Sequence, residues 1–124
     1  MGKIIKIFIV EDDRSLSSLY ERALNLNGYK VVASAENGVD AVNIFKNFSE
    51  KPDVILMDHR MPLKSGIEAA KEILELDNET KIIFMSADST IKEEALSNGV
   101  ISFKDKPFSL ERLFNNIDKV VQQG

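Results

Sequence analysis

The chain has 124 residues, 44% of them apolar, with 16 basic and 20 acidic side chains, a net charge of −4 and no cysteine. That length suits one domain with a full core, the negative balance gives no field to hold a nucleic-acid backbone or an anionic lipid surface, and the missing cysteine excludes disulfides, thiolate catalysis and cysteine-ligated zinc. The expectation is a single domain over residues 1–124, cytoplasmic, with no direct nucleic-acid partner and no membrane contact.

The first apolar run, Ile4–Val10, is interrupted by Lys6 and followed by Glu11-Asp12-Asp13. It is too short to span a bilayer and lacks a signal-peptide cleavage pattern, and Lys6 stands where myristoylation needs Ser or Thr. It therefore reads as a strand. Leu16, Leu19, Ala23 and Leu24 then make one helical stripe, stopped by Asn27-Gly28. A second strand is predicted over Lys30–Ala35, a second helix on Ala41, Phe45 and Phe48 ahead of Pro52, and a third strand over Asp53–Met57.

Ser65-Gly-Ile-Glu68 has capping-box spacing and opens a third helix on Ile67, Ala70, Ile73 and Leu74. After a fourth strand, Lys81–Met85, Thr90-Ile-Lys-Glu93 repeats the box ahead of a fourth helix. Its apolar anchors are only Ile91, Ala95 and Leu96, so little buried area holds it and it is the element expected to move. A fifth strand, Val100–Lys104, precedes an amphipathic helix from Ser109 to Gln122 carrying Leu110, Leu113, Phe114, Ile117, Val120 and Val121. The ending Gln122-Gln-Gly124 has no linker-like tail, which favours a stand-alone protein.

Short apolar runs alternating with helical segments imply βαβ units and a doubly wound parallel sheet, with the first, third and fourth strands buried on both faces. In such a sheet every strand points the same way, and ligands bind beyond the carboxyl ends. Those ends carry Glu11-Asp12-Asp13, Glu36-Asn37, Asp58, Ser86 and Lys106. Carboxylates gathered there repel one another unless a cation lies among them. An oxygen-only set without a His or Cys cluster favours a hard divalent ion such as Mg²⁺.

Asp58, at the end of Val54-Ile-Leu-Met-Asp58, could be a chance surface residue, a metal ligand or a nucleophile. Beside a metal that neutralises an incoming phosphoryl group, its carboxylate could attack phosphorus and form an acyl phosphate, with Ser86 and Lys106 each meeting a phosphoryl oxygen. That product adds about −1.5 to −2 charge at one point. The company Asp58 keeps favours the nucleophile.

Ile9-Val-Glu-Asp12, Leu56-Met-Asp-His-Arg-Met-Pro62 with Gly66, Met85-Ser-Ala87, Asn98-Gly99 and Lys106-Pro-Phe108 occur in this order. With these motifs the chain resembles, over essentially its full length, the CheY-like receiver domain of two-component response regulators. The resemblance implies a flavodoxin-like three-layer sandwich of five parallel strands in the order 2-1-3-4-5 with five helices. It implies that Asp58 is the phosphoacceptor, that Asp12, Asp58 and the Arg60 backbone carbonyl bind Mg²⁺ or Mn²⁺, and that Glu11 acts through metal-bound water.

Ser86 takes the family's hydroxyl position and Lys106 its lysine position, with a cis peptide implied before Pro107. The implied donor is a phosphohistidine on a sensor histidine kinase or a histidine phosphotransfer protein. The receiver catalyses its own aspartyl phosphorylation and dephosphorylation and is not a turnover enzyme. The implied switch is an inward move of Ser86 that lets Phe103 turn, changing the face of the fourth helix, fifth strand and fifth helix that meets an output protein or domain.

Several residues depart from the commonest pattern of that family. Ser86 replaces a more usual threonine, Phe103 lacks a tyrosine hydroxyl, and the polar pair Lys104 and Asp105 suggests that the fifth strand is an exposed edge. Arg60 and Asp88, two places after Asp58 and Ser86, are expected to pair across the pocket mouth and hinder attacking water. Other residues have plainer expectations: Asp13 as a helix cap, Asp53 as an ordinary carboxylate, His59 as a surface residue, Phe45 and Phe48 as core.

A flavodoxin-type cofactor site would need Ser, Thr and Gly donors after the first strand, where three acids stand instead. An aspartate-nucleophile phosphatase would resemble a D-x-D pattern at that place, and usually an inserted cap, and neither is present. A receiver used only as a scaffold and never phosphorylated in the cell is the remaining alternative.

Overall fold

The computed structural model describes residues 3–106 and 108–122. The cis peptide expected at Pro107 lies outside them. Five strands, β1 (Lys6–Val10), β2 (Lys30–Ala35), β3 (Val54–Asp58), β4 (Lys81–Ser86) and β5 (Ser102–Asp105), alternate with α1 (Arg14–Leu26), α2 (Gly38–Asn47), α3 (Gly66–Leu76), α4 (Lys92–Ser97) and α5 (Leu110–Gln122). The strands pair in parallel in the expected order, β2-β1-β3-β4-β5.

Alternation along the central strands sorts side chains to two faces. Phe8, Val10, Ile55, Met57, Ile82 and Phe84 meet α2, α3 and α4 through Phe45, Ile73 and Ala95. Ile7, Ile9, Val54, Leu56, Ile83 and Met85 meet α1 and α5 through Tyr20, Leu24, Leu113 and Ile117. The result is three layers, with β1, β3 and β4 apolar on both faces because each face is covered. No helix among the described residues is long and apolar enough to cross a membrane.

Some local expectations change. Ile4 is exposed and precedes β1, and Val100 and Ile101 precede β5, because pairing with β4 begins at Ser102. On α1 the buried residues are Tyr20 and Leu24, whereas Leu19 points outward at 52% exposure. Phe48 caps the end of α2 and packs half-buried against Phe8.

The capping box at Ser65 and Glu68 forms in full and starts α3. The one expected at Thr90 does not. Asp88 instead accepts from the Thr90 N–H at 3.0 Å and from its hydroxyl, producing a 3₁₀ turn over Ser89–Ile91 before α4. The six-residue α4 then begins at Lys92, with Ile91 at the N-cap position making no side-chain cap, and buries only Ala95, while Leu96 is exposed. β5 is an edge strand, half-buried at best, as its polar pair suggested.

Candidate functional site

All strands end on one rim, and there the acidic residues converge. The β1 ladder continues for one more bond, from the Glu11 N–H to the Ala35 carbonyl at 3.0 Å, which carries the Glu11 side chain inward to 2% exposure. Asp12 follows on the exposed side, and Asp13 turns the chain into α1 by accepting from the Leu16 N–H at 3.1 Å. Asp58 closes β3 at 8% exposure, with its Oδ1 accepting from the His59 N–H at 2.9 Å. Carboxylate oxygens of Glu11, Asp12 and Asp58 lie within 4.8 Å of one another.

Lys106 reaches this cluster because its backbone N–H bonds the Ser86 carbonyl at 2.8 Å, tying the end of β5 to the end of β4. Its Nζ stands 3.1 Å from Glu11 Oε1 and 3.7 Å from Asp58 Oδ1. One ammonium therefore faces two buried carboxyl groups. Burial, and next the Asp58 charge, push the Glu11 carboxyl from an ordinary 4.5 up to about 7, against the pull of Lys106. Burial likewise raises Asp58, opposed first by Lys106 and then by the His59 amide.

That tension is the test of whether a divalent ion fits. Three oxygen donors within 4.8 Å of one another, two of them buried and resisting ionisation, suit a hard dication that restores their charged forms. Glu11, Asp12 and Asp58 are the residues that would hold it.

A cavity of about 490 Å³ opens beside the cluster, lined by Asp58, Arg60, Ser86, Ala87, Asp88 and Lys106. Ser86 is buried, and its Oγ accepts from the Asp88 N–H at 3.0 Å. Across the mouth, Arg60 Nη2 lies 3.3 Å from Asp88 Oδ2. Hydrogen bonds from Thr90, then the Arg60 charge, hold the Asp88 carboxyl below the ordinary carboxylate value. Phe103, on β5, is half-buried against the core on the α3–α4 side.

His59 is half-buried rather than fully at the surface. Its ring lies 6.2 Å from that of Phe84, and its buried Nδ1 has no partner. Asp53 does more than ordinary work at the opposite end of β3, accepting from the Lys6 N–H at 2.8 Å and from Lys3 at 2.9 Å. Sequence reading placed Gly66 in a motif without giving its physical reason, and it missed Gly38. A Cβ on Gly66 would lie 2.3 Å from the Asp58 carbonyl oxygen, and one on Gly38 would lie 2.3 Å from that of Lys64. The Gly38 contact joins segments distant in sequence, so only the unexplained presence of Gly in the first turn of a helix could have flagged it.

A parallel sheet in this order, with acids, a hydroxyl and a lysine on its carboxyl rim, defines a receiver-type α/β domain. A family model described as "Response regulator receiver domain" matches residues 7–118. Chemotaxis protein CheY of Bacillus subtilis (strain 168) is 37% identical over 118 residues, covering 94% of this chain and 97% of that protein. The response regulator domain of Thermotoga maritima CheB superposes with a TM-score of 0.87 at 30% identity, covering 97% of this chain and 98% of that one.

The receiver domain of sensor histidine kinase PA1611 from Pseudomonas aeruginosa PAO1, described with a magnesium ion coordinated in its active-site cleft, superposes at 0.85 with 27% identity over 97% of this chain and 99% of that one. The chain belongs to the response regulator receiver domain family of two-component signalling.

Proposed function

We propose that this chain, as one receiver domain over residues 1–124, accepts a phosphoryl group on Asp58 from a phosphohistidine of a sensor histidine kinase or histidine phosphotransfer protein. The observation that carries the reading is the Lys106 ammonium, 3.1 Å from Glu11 and 3.7 Å from Asp58, at the wall of a cavity open to a donor. Asp12, Asp58 and the Arg60 carbonyl would hold Mg²⁺ or Mn²⁺, with Glu11 acting through a metal-bound water, and the ion would supply charge neutralisation for the phosphoryl oxygens. An Asp58 oxygen attacks phosphorus, the bond to the donor imidazole nitrogen breaks, and an acyl phosphate forms. Lys106 and Ser86 each bind a phosphoryl oxygen.

Hydrolysis of the acyl phosphate by water resets the site, so the protein promotes its own phosphorylation and dephosphorylation without turning over a separate substrate. Arg60 and Asp88, 3.3 Å apart, restrict water at the cavity mouth and lengthen the lifetime of the modified state. When Ser86 turns to the phosphoryl group, Phe103 rotates inward and the α4-β5-α5 face changes for an output protein or domain. The phosphoryl group does this by biasing states the chain already visits, and α4, anchored by Ala95 and left without a side-chain cap, is suited to that bias. The setting is cytoplasmic.

Incubation with Mg²⁺ and acetyl phosphate, read by intact mass, tests this. Wild type gains one phosphoryl group and Asp58→Asn gains none. Equal labelling of both would place the chemistry elsewhere, and labelling of neither would favour a scaffold that is never phosphorylated.

A further inference from the structure

We propose that Gly38 is a positioning residue for the acidic rim: by letting α2 seat directly on the backbone of the β3–α3 loop, it fixes where Asp58 stands toward a divalent ion. The inference rests on the metal-binding reading above and assigns part of that affinity to a helix that contributes no ligand.

The contact is between backbones. A Cβ on residue 38 would stand 2.3 Å from the Lys64 carbonyl oxygen, 2.8 Å from its carbon and 2.7 Å from Lys64 Cβ. None of these is the far end of a flexible side chain, so the loop or the helix would have to move. Lys64 has little room to retreat. Its N–H bonds the Pro62 carbonyl at 2.8 Å, its ammonium pairs with Glu72 on α3, and the next residue, Ser65, caps α3.

The loop is equally fixed at its start. A Cβ on Gly66 would stand 2.3 Å from the Asp58 carbonyl oxygen and 2.8 Å from His59 Cα, and the Gly66 N–H bonds the His59 carbonyl at 2.8 Å. Between these points Leu63 has φ +70°, the one positive value at a non-glycine among the described residues. Such a conformation persists only where its surroundings over-determine it.

A displacement at Lys64 is therefore carried along a short, taut segment. It ends at the His59 N–H, which donates to Asp58 Oδ1 at 2.9 Å, and passes Arg60 on the way. Groups that orient metal ligands without touching the ion commonly govern its affinity.

The competing outcome is that α2 lifts away and the loop stays. Ala41, Val42 and Phe45 are buried, so lifting would disturb the core beneath α2 and lower stability without changing the rim.

The test compares the full chain as wild type, Gly38→Ala and Val42→Ala. The last thins the core under α2 while leaving the Gly38–Lys64 backbone contact itself unaltered in sequence. Mg²⁺ dissociation constants come from calorimetric titration, and thermal stability and acetyl-phosphate labelling are read alongside. The expected result is Mg²⁺ binding weaker by roughly tenfold in Gly38→Ala, labelling restored at saturating Mg²⁺, and an unchanged dissociation constant in Val42→Ala despite its lower melting temperature. Unchanged Mg²⁺ affinity in Gly38→Ala would overturn the inference, as would an equal loss in Val42→Ala. A wild type that binds no Mg²⁺ would overturn the underlying metal site, and this inference with it.

Discussion

The rim at Glu11, Asp58 and Lys106 and the segment from Asp88 through β5 lie side by side and are built in opposite ways. At the rim, three fully covered strands end together, the carboxyl groups are 2% and 8% exposed, and amides of Asp13 and His59 fix their oxygens. The neighbouring segment has a six-residue helix with one buried alanine and an edge strand that is half-buried at best. The difference teaches a division of labour. Rigid burial stores electrostatic tension where the proposed chemistry would occur, and thin anchoring suits the adjoining element to the proposed response. Asp88 joins the two, bonding Ser86 through its N–H and Thr90 and Arg60 through its carboxylate.

The comparison breaks most visibly if Lys106, the cation paired with Glu11 and Asp58, is removed. In Lys106→Ala, Glu11 and Asp58 lose the charge that opposes their burial, and phosphorylation by acetyl phosphate is expected to slow by about 10²–10³-fold. Stopped time courses read by intact mass measure it. A loss under about threefold would mean the ammonium is not part of the chemistry.

The stored tension predicts a sign for pH dependence. Glu11 has its folded pKa raised from 4.5 to about 7, so the folded state binds more protons than the unfolded one across that window. Metal-free stability therefore falls as pH rises from about 4.5 through about 7 and is flat above it. Glu11→Gln removes the Glu11 share of this slope and should stabilise the metal-free protein at pH 8 by on the order of 2 kcal/mol, measured by urea denaturation. A destabilised Glu11→Gln would show that burial does not strain this carboxyl.

On the thin side, Asp88→Ala removes the cap of the 3₁₀ turn, a loss of about 1 kcal/mol. Hydrogen exchange should quicken over residues 89–98 while Mg²⁺ affinity stays at the wild-type value. The acyl-phosphate lifetime should also shorten, together with that of Arg60→Ala. Unchanged exchange would mean that α4 is held by something other than Asp88. The smallest effect is expected at Leu63, 80% exposed with φ +70°. Leu63→Gly relieves the strain at some entropic cost, for a net gain under about 1 kcal/mol in denaturation.

Much of this contrast was legible in the sequence. The alternation of apolar runs and helical stripes gave the sheet, and the strand ends gave Glu11, Asp12, Asp58, Ser86 and Lys106 before any coordinates. What escaped depended on competition or on distant contacts. At Thr90 two capping patterns overlap, and Asp88 wins because it stands earlier in the chain and can bond both the Thr90 amide and its hydroxyl. Leu19 fits a helical stripe but lost burial to Tyr20, whose ring stacks on Phe108 from the far end of the chain. The close approach at Gly38 is set by how α2 meets the loop, which no local pattern records.

The claim beneath all of this is that the crowded carboxyl groups await a divalent ion. The most direct measurement is urea-denaturation stability between pH 5 and pH 8, with and without millimolar Mg²⁺. Stability should decline with pH in its absence, and Mg²⁺ should raise it most at the alkaline end and flatten the slope in wild type but not in Asp58→Asn. Identical curves with and without Mg²⁺ would contradict the account.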